Sequence, residues 1–594
     1  MIHVRKRLNN NNKRYIAHLL RTEKTLCHNL REDPESKQYY PNRESRPVWS
    51  GHYVRVNPDP ISKPELVAYN ASTAAQLGMK DKDIVNNTTF LRIMSGDVPE
   101  NLKPWACGYA VSVLGNEIAN PCGYRGMSCS SFCLSVCLSL NIHTHTHTHT
   151  NSGQAYGDGR CISVGELERD GERFEIQLKG AGTTPFSRNF DGRAVLRSSV
   201  REFLASHAMY HLGVPTTRSL SLIVSKDMNI QRMWYDKVEK EEEEDEDEVR
   251  KRKYAPNRIV RERCAIASRV SRSFLRVGSV ELFTRRARRS KENREHWIEL
   301  EMLLEYALRT EFPELKDRNY IRMLEIFAKR QARLVTEWLR VGYVQGNMNS
   351  DNALLSGQTL DYGPFAFMER YEKTWTPFTS DPQQNAGFEK QPYAAQLTVL
   401  TLCRCVALVC ENEIDEIERI VNQVFPDELE ANLFEMRCKK LGIQNWNESI
   451  ASNIWNPLMR LFQSSQIDYT IFWRLLYYSC SNDRREVSFE SIRDAFYEEP
   501  SSIEDWNEWL SIWSKEIDSE SVKKMRTANP KYVPREWMLV KAYEDAETGD
   551  YEEIEVLQRL FERPYETQSE EFNSKYFRKT PNEMKDRPGV SFYS

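Results

Sequence analysis

The 594-residue sequence has no run of eighteen or more uncharged apolar residues. The nearest, Tyr393 to Cys410, is interrupted by Gln396 and Arg404 and predicts a core helix rather than a membrane span. Net charge is nearly absent too. The 82 basic and 86 acidic residues leave −4, which provides no global pull toward nucleic acid or an anionic membrane. Thirteen cysteines lack paired metal-ligand spacing, and the closest set, Cys403, Cys405 and Cys410, falls in the apolar segment, so they read as reduced thiols packed as small hydrophobes. Of eleven histidines, four form one repeat tract and three lie near the N-terminus, which leaves little for a Ser/His/Asp or zinc site. What is there, 40% hydrophobic and 28% charged residues, is ordinary globular composition, and local sites must carry the function.

Residues 1–45 are polar and basic. The first 22 carry Arg5, Lys6, Arg7, Lys13, Arg14 and Arg21 with no acid, as a disordered or targeting leader would, for a protein that is mitochondrial or otherwise cytoplasmic. Order is expected from about Tyr53. Residues 46–290 read as a sheet-rich N-lobe, 291–565 as a helical C-lobe and 566–594 as a tail. Two segments read as insertions. Arg125 to Ser152 contains an alternating His/Thr octet, His143 to Thr150, which is what a CACACA-type repeat in a retained intron would encode. The second, at 238–253, includes KEEEEDEDEVRKRK and reads as a solvated charged loop.

Within the N-lobe, Phe174, Ile176 and Leu178 alternate with Glu175, Gln177 and Lys179, which predicts a strand with a lysine on its polar face at one end. Leu196, Val200, Phe203, Leu204 and Ala208 form one helical stripe in Asp191 to Leu212, a helix that carries Glu202 and stops at Gly213 and Pro215. Leu220, Leu222 and Val224 then alternate with serines as another strand. Beyond residue 290 the spacing is helical: Leu324, Phe327, Ala328, Leu334, Val335 and Trp338 lead to a stop at Gly342, and Trp506, Trp509 and Trp513 read as a packed helix face. The fold class is α+β, bilobal, with a cleft between the lobes.

Tyr156-Gly157-Asp158-Gly159-Arg160 places two glycines where backbone N–H groups could approach phosphate, although such turns are more often plain hairpin turns. Gly180, Gly182, Asp191, Gly192, Arg193 and Arg197 add glycines and charges suited to a polyanion. Lys179 and Glu202 fit a pairing in which a strand lysine meets phosphate oxygens and a helix carboxylate orients it. In the second half, Asp351 and Asn352 are followed nine residues after Asn352 by Asp361-Tyr362-Gly363, a set of hard oxygen donors suited to Mg²⁺ bridging phosphates, plus a spare carboxylate. The order matches a protein-kinase scheme, yet there is no His-Arg-Asp triplet, Asp351 and Asn352 are adjacent, and GxGxxG is missing.

These strings, YGDGR, QLKGAG followed by TPFSR, DGRAVLRSSVREFL, HLGVPTTRSLSL, RVSRSFLRVGSVELF, GNMNSDN and LDYGPFAFM, together resemble the selenoprotein O family, including the bacterial YdiU-like proteins, over about residues 53–565 outside the two insertions. The resemblance implies a protein-kinase-like fold and transfer of AMP from ATP to Ser, Thr or Tyr hydroxyls of proteins, with release of pyrophosphate. It implies ATP contacts from Gly157, Gly159, Arg160, Lys179, Asp191, Gly192, Arg269, Arg276 and Asp361. Mg²⁺ or Mn²⁺ would sit on Asn352 and Asp361, Glu202 would orient Lys179, and Asp351 would accept the proton. The alternatives are a phosphoryl-transferring kinase and a catalytically silent nucleotide-binding scaffold. This chain departs from the family in having Gln345 where members often have His, and in ending Gly589 to Ser594 with neither selenocysteine nor a Cys pair. The segment Arg125 to Ser152 also splits the loop beside the expected phosphate site, an arrangement expected to impair activity.

Overall fold

Alternating apolar residues in the first half build one antiparallel sheet, and the longer helical periods of the second half pack beside it. The computed structural model describes residues 26–117, 155–234, 258–289, 294–377, 381, 383–481 and 487–584. The sheet contains β1 (Tyr53–Arg55), β2 (Pro64–Tyr69), β3 (Trp105–Tyr109), β4 (Cys161–Arg169), β5 (Glu172–Lys179), β6 (Arg218–Trp234) and β7 (Arg258–Ser271). Their order is β1-β3-β4-β5-β7-β6-β2, and the short strands Tyr156–Gly157 on β3 and Ala194–Val195 on β7 bring the total to nine. Between β5 and β6 runs helix α1 (Leu196–His211), the expected strand, helix, strand sequence.

Register places the polar side chains. Lys179 pairs with Cys161 on β4 and Ala267 on β7, while Gln177 pairs with Ser163 and Arg269. Residues two apart on a strand share a face, so Lys179, Gln177 and Arg269 stand together on one side of the sheet. That side is not solvated as its polar alternation predicts: Glu175, Gln177 and Lys179 are all buried, the first two held by hydrogen-bonding partners on β4 and β7 and Lys179 by Glu202 and Asp361.

Helix α2 (Val277–Arg289) follows β7, and α3 (Tyr320–Val341) ends, as predicted, at Gly342 with φ +77°. Near the end of the described chain, α4 (Glu536–Glu547) and α5 (Glu552–Glu562) return to pack against α1. The region is α+β, strand-rich before Ser271 and helical after it. Trp506, Trp509 and Trp513 are buried in a second apolar cluster, with the rings of Trp509 and Trp513 stacked at 5.8 Å, so this stripe is core. The segment Tyr393 to Cys410 holds the helix Gln391–Val406, with Cys403 and Cys405 buried.

Three expectations need correction. Residues 26–45 are packed rather than a disordered leader. Leu26 and Leu30 are buried, the Leu26 N–H donates to Glu166 Oε1 at 3.0 Å, and Asn42 Nδ2 donates to the Ser36 and Arg55 carbonyls at 2.7 and 2.8 Å. Two leucines and side-chain bonds to backbone suffice where composition suggested nothing could pack. The helix expected from Asp191 starts at Leu196, because Asp191 Oδ1 accepts the Arg193 N–H at 2.9 Å in a turn and Ala194–Val195 pair with β7. The region from 566, read as a tail, contains the helix Glu570–Tyr576, whose buried Tyr576 donates to Glu553 Oε1 at 2.9 Å. Residues 1–25, the Arg125 to Ser152 segment with its His/Thr tract, the 238–253 segment and 585–594 lie outside the described residues.

Candidate active site

The end of β5, the middle of α1 and the loop after Leu360 meet at Lys179. Its ammonium donates to Glu202 Oε2 and to Asp361 Oδ1, each at 2.5 Å. Arg269 reaches the same Asp361 oxygen at 3.0 Å and Glu202 Oε1 at 3.5 Å, and is itself oriented by Gln177 Oε1 at 2.8 and 3.1 Å. Two cations thus face two carboxylates. Burial would raise the Asp361 carboxyl, but Lys179 and Arg269 beside it hold it well below the usual carboxylate range.

The Asp361 loop is held by residues distant in sequence. Gln345 Nε2 donates to its carbonyl at 3.2 Å, and Tyr343 donates to Gln345 Oε1 at 2.5 Å. Arg201, on α1 one residue before Glu202, donates to the carbonyls of Gly363 and Phe365 at 3.3 and 3.0 Å and pairs with Glu536 at 3.0 Å. The helix that carries Glu202 therefore also fixes the Asp361-Tyr362-Gly363 turn.

Asp351 lies in the one-turn helix Ser350–Asn352. An antiparallel bridge between Ala353 and Thr359 puts Asn352 and Leu360, the next residues outward, at the same open end, one residue from Asp361. Burial pushes the Asp351 carboxyl up to about 6 against the nearby Arg276, and its Oδ1 is buried without a hydrogen-bond partner among the described residues. Arg276 Nη1 donates to the Asp351 carbonyl at 3.1 Å and Nη2 pairs with Asp158 Oδ1 at 2.6 Å. Asp158 is the middle residue of the Gly157-Asp158-Gly159 turn, so Arg276 ties that turn to the Asp351 loop.

The glycines serve close approach. A Cβ at Gly157 would collide with the Phe186 ring, and one at Gly159 would lie 2.9 Å from the Phe186 carbonyl oxygen. Asp191 stands apart from the Lys179 cluster, bound by Arg232 at 2.6 and 2.9 Å, and against the opposing effect of burial these bonds hold its carboxyl below the usual range. Arg197 is engaged by Glu262 at 2.7 Å and lies against Trp234. The structure thus gathers Lys179, Glu202, Arg269 and Asp361 in direct contact, and Arg276, Asp158 and Asp351 in a second linked group. Sequence reading missed Gln177, Asp158 and Arg201. All three were visible inside quoted strings, but the role of Gln177 needed the β5–β7 register, which sets it beside Arg269.

With these groups in place, comparison with known proteins becomes informative. A family model described as "Protein adenylyltransferase SelO" matches residues 128–240 and 243–563. The chain belongs to the SelO family. Its similarity to curated proteins extends almost end to end. It is 32% identical over 565 residues to "Protein nucleotidyltransferase YdiU" of Flavobacterium johnsoniae, covering 93% of this chain and 95% of that protein. A protein of the same name from Aromatoleum aromaticum is 32% identical over 589 residues, covering 96% and 98%, and one from an Azoarcus species 31% over 584 residues, covering 95% and 98%. SelO membership makes nucleotidyl transfer the activity of this family. These relatives are bacterial and lend no support to the mitochondrial reading of the N-terminus. Among the described residues of this SelO chain, no helix is long and apolar enough to cross a membrane.

Proposed function

We propose that the chain is a protein adenylyltransferase of protein-kinase-like, bilobal fold, which moves AMP from ATP to a Ser, Thr or Tyr hydroxyl of a protein and releases pyrophosphate. The observation that carries this reading is the pairing of a Lys179/Arg269/Glu202/Asp361 charge cluster with a separate, half-buried carboxylate, Asp351, whose Oδ1 is shielded from solvent and has no hydrogen-bond partner among the described residues. Transfer to a hydroxyl needs both parts: cations for the phosphates and an acceptor for the proton.

Lys179, Arg160, Arg269 and Arg276 bind and orient the triphosphate, with Glu202 keeping Lys179 in place. Gly157, Gly159 and Gly192 allow the backbone close to the nucleotide, and Asp191 lies at the edge of that surface. Asp351 takes the hydroxyl proton as the oxygen bonds to the α-phosphorus. The bond from that phosphorus to the bridging oxygen breaks, and the arginines offset the charge carried off by pyrophosphate. A general base works best with a pKa near the operating pH, and a carboxyl pushed up to about 6 is nearer to it than an ordinary aspartate.

The donor set fits a hard divalent cation. Asn352 and Asp361 offer oxygen ligands at one end of a hairpin, and among the described residues no group of three His, Cys, Asp or Glu side chains forms a self-sufficient metal cage. Mg²⁺, or Mn²⁺, would be held by Asn352 and Asp361 together with substrate phosphate, where it would neutralise phosphate charge.

The test is to supply ATP labelled at the α or at the γ position to the full chain with a divalent cation. Label on protein from the α position, lost in Asp361→Ala, is the expected result. Label only from the γ position would instead make the chain a kinase, and ATP-dependent thermal stabilisation without any transfer would make it a silent scaffold.

A further inference from the structure

The Asp351 side chain presents a question of direction. Its Oδ1 is buried and has no partner among the described residues, so hydrogen bonding at that atom does not aim it. Aim must then come from the backbone of the Ser350–Asn352 turn, and that turn is gripped at two points. One is Arg276 on the Asp351 carbonyl. The other is Ser350, whose hydroxyl donates to Glu281 Oε2 at 2.7 Å and accepts the Ser112 N–H at 2.7 Å.

Glu281 lies one turn into α2 and is only 2% exposed. A buried carboxylate is costly unless its charge and lone pairs are met. Here Oε1 accepts from Arg285 Nη2, one helical turn on, and from the Ser112 hydroxyl, while Oε2 takes Ser350. Arg285 Nη2 also donates to the Val111 carbonyl at 2.9 Å. The helix itself touches the turn: Gly278 packs so closely that a Cβ there would lie 3.3 Å from Asp351 Cα and would collide with the Ala110 carbonyl oxygen. Val277 N–H donates to the Ala353 carbonyl at 2.8 Å on the far side of Asp351. The α2 helix is therefore docked on both flanks of the turn, and Glu281 is the side chain that closes the dock on the Ser350 side.

We infer that Glu281 is a positioning residue for Asp351: through the Ser350 hydroxyl it fixes the turn that directs the Asp351 carboxylate, without itself touching nucleotide or acceptor. The inference rests on the reading of Asp351 as proton acceptor. A reacting group displaced by about 1 Å can lose roughly a hundredfold in rate while binding is unaffected, because proximity acts on the transition state. The same contacts tie Asp351 to the Ser112–Val113 strand.

The experiment uses the full chain, α-labelled ATP and a protein hydroxyl acceptor, and measures kcat and the KM for ATP for Ser350→Ala, Ser350→Thr, Glu281→Gln and the double variant Ser350→Ala/Glu281→Gln. Ser350→Ala and Glu281→Gln should each lower kcat about 10- to 100-fold with KM for ATP within twofold. The double variant should be no worse than the worse single, because both remove one chain of contacts. Ser350→Thr keeps a hydroxyl and should recover most of the rate. If Glu281→Gln does not fold, the two Ser350 variants decide alone. Unchanged kcat in Ser350→Ala, fully additive losses in the double variant, or a raised KM at unchanged kcat would each overturn the positioning role. Asp351→Asn separates the two failures. If it abolishes transfer while Ser350→Ala is unaffected, only the positioning role falls; if it leaves transfer intact, Asp351 is not the base and the inference falls with that reading.

Discussion

Lys179 joins Glu202 and Asp361 through one ammonium, at 2.5 Å from an oxygen of each, although Asp361 lies 182 residues further along the chain. Strand end, helix and loop are thereby drawn to a single point. Lys179→Met would leave both carboxylates to Arg269 alone. Breaking one side of a buried charge cluster costs about 3–5 kcal/mol, so the melting temperature should fall by several degrees. Transfer from α-labelled ATP should drop by at least about a hundredfold even at temperatures where the variant is folded. Wild-type transfer in a folded Lys179→Met protein would remove the lysine from the mechanism.

Gln345 provides a milder test of the same site. Its amide donates to the Asp361 carbonyl and accepts from Tyr343. Gln345→His retains a ring N–H and a ring nitrogen acceptor and should keep transfer within a few-fold. Gln345→Leu strands both the carbonyl and the phenol, at about 1–3 kcal/mol, and should lower both the denaturation midpoint and transfer. Steady-state rates beside urea melts check this.

Much of this site could be read from sequence, and the reasons are specific. Lys179, Glu202 and Asp361 belong to strings whose residue types have few other uses together, so the charge cluster was legible before any fold. The roles of Gln177, Arg201 and Glu281 were not, because each acts on a residue far along the chain: Arg269, Gly363 and Ser350. Alternation in β5 located its apolar face but implied solvent on the other, and only the pairing with β4 and β7 explains why Glu175 and Gln177 are buried. Residues 26–45 were misread because their packing relies on two leucines and a set of side-chain-to-backbone bonds, which hydropathy does not register.

Away from the site, Arg535 donates to both oxygens of the fully buried Asp468 at 2.6 and 2.7 Å. Arg535→Met should destabilise by about 3–5 kcal/mol, since it leaves an uncompensated carboxylate in the interior. Asp468→Asn combined with Arg535→Met should recover a large part of that loss. Guanidinium denaturation of the three proteins tests both statements, and a double variant as unstable as Arg535→Met would contradict the second.

His52 gives the fold an acid limit. Its Nδ1 accepts the Arg31 N–H at 3.0 Å and its Nε2 meets the Glu299 carbonyl at 2.9 Å, so the neutral ring satisfies both neighbours. Burial pushes its pKa down to about 4 from an ordinary 6.5. Above 6.5 the ring is neutral folded or unfolded and its contribution is complete. Between 6.5 and 4 the unfolded chain takes up the proton first, so stability declines with falling pH, by up to about 3 kcal/mol. Thermal melts from pH 7 to 4 should show this decline, and His52→Gln should flatten it. An identical pH slope in the variant would show that His52 contributes nothing to it.

The packing of α4 and α5 against α1 bears on how the protein is made. Glu536 anchors Arg201, and the Gln558 carbonyl lies 3.1 Å from His207 Nε2 while its amide donates to the Tyr69 carbonyl at 3.2 Å. The helix that presents Glu202 to Lys179 is thus finished by residues synthesised more than three hundred positions later. A ribosome that has released only the strand-rich half has exposed an unfinished helix face, and the Lys179 cluster cannot set. Assembly of the site must therefore wait for α4 and α5, and a fragment stopping before Glu536 would leave the α1 face uncovered and open to chaperones.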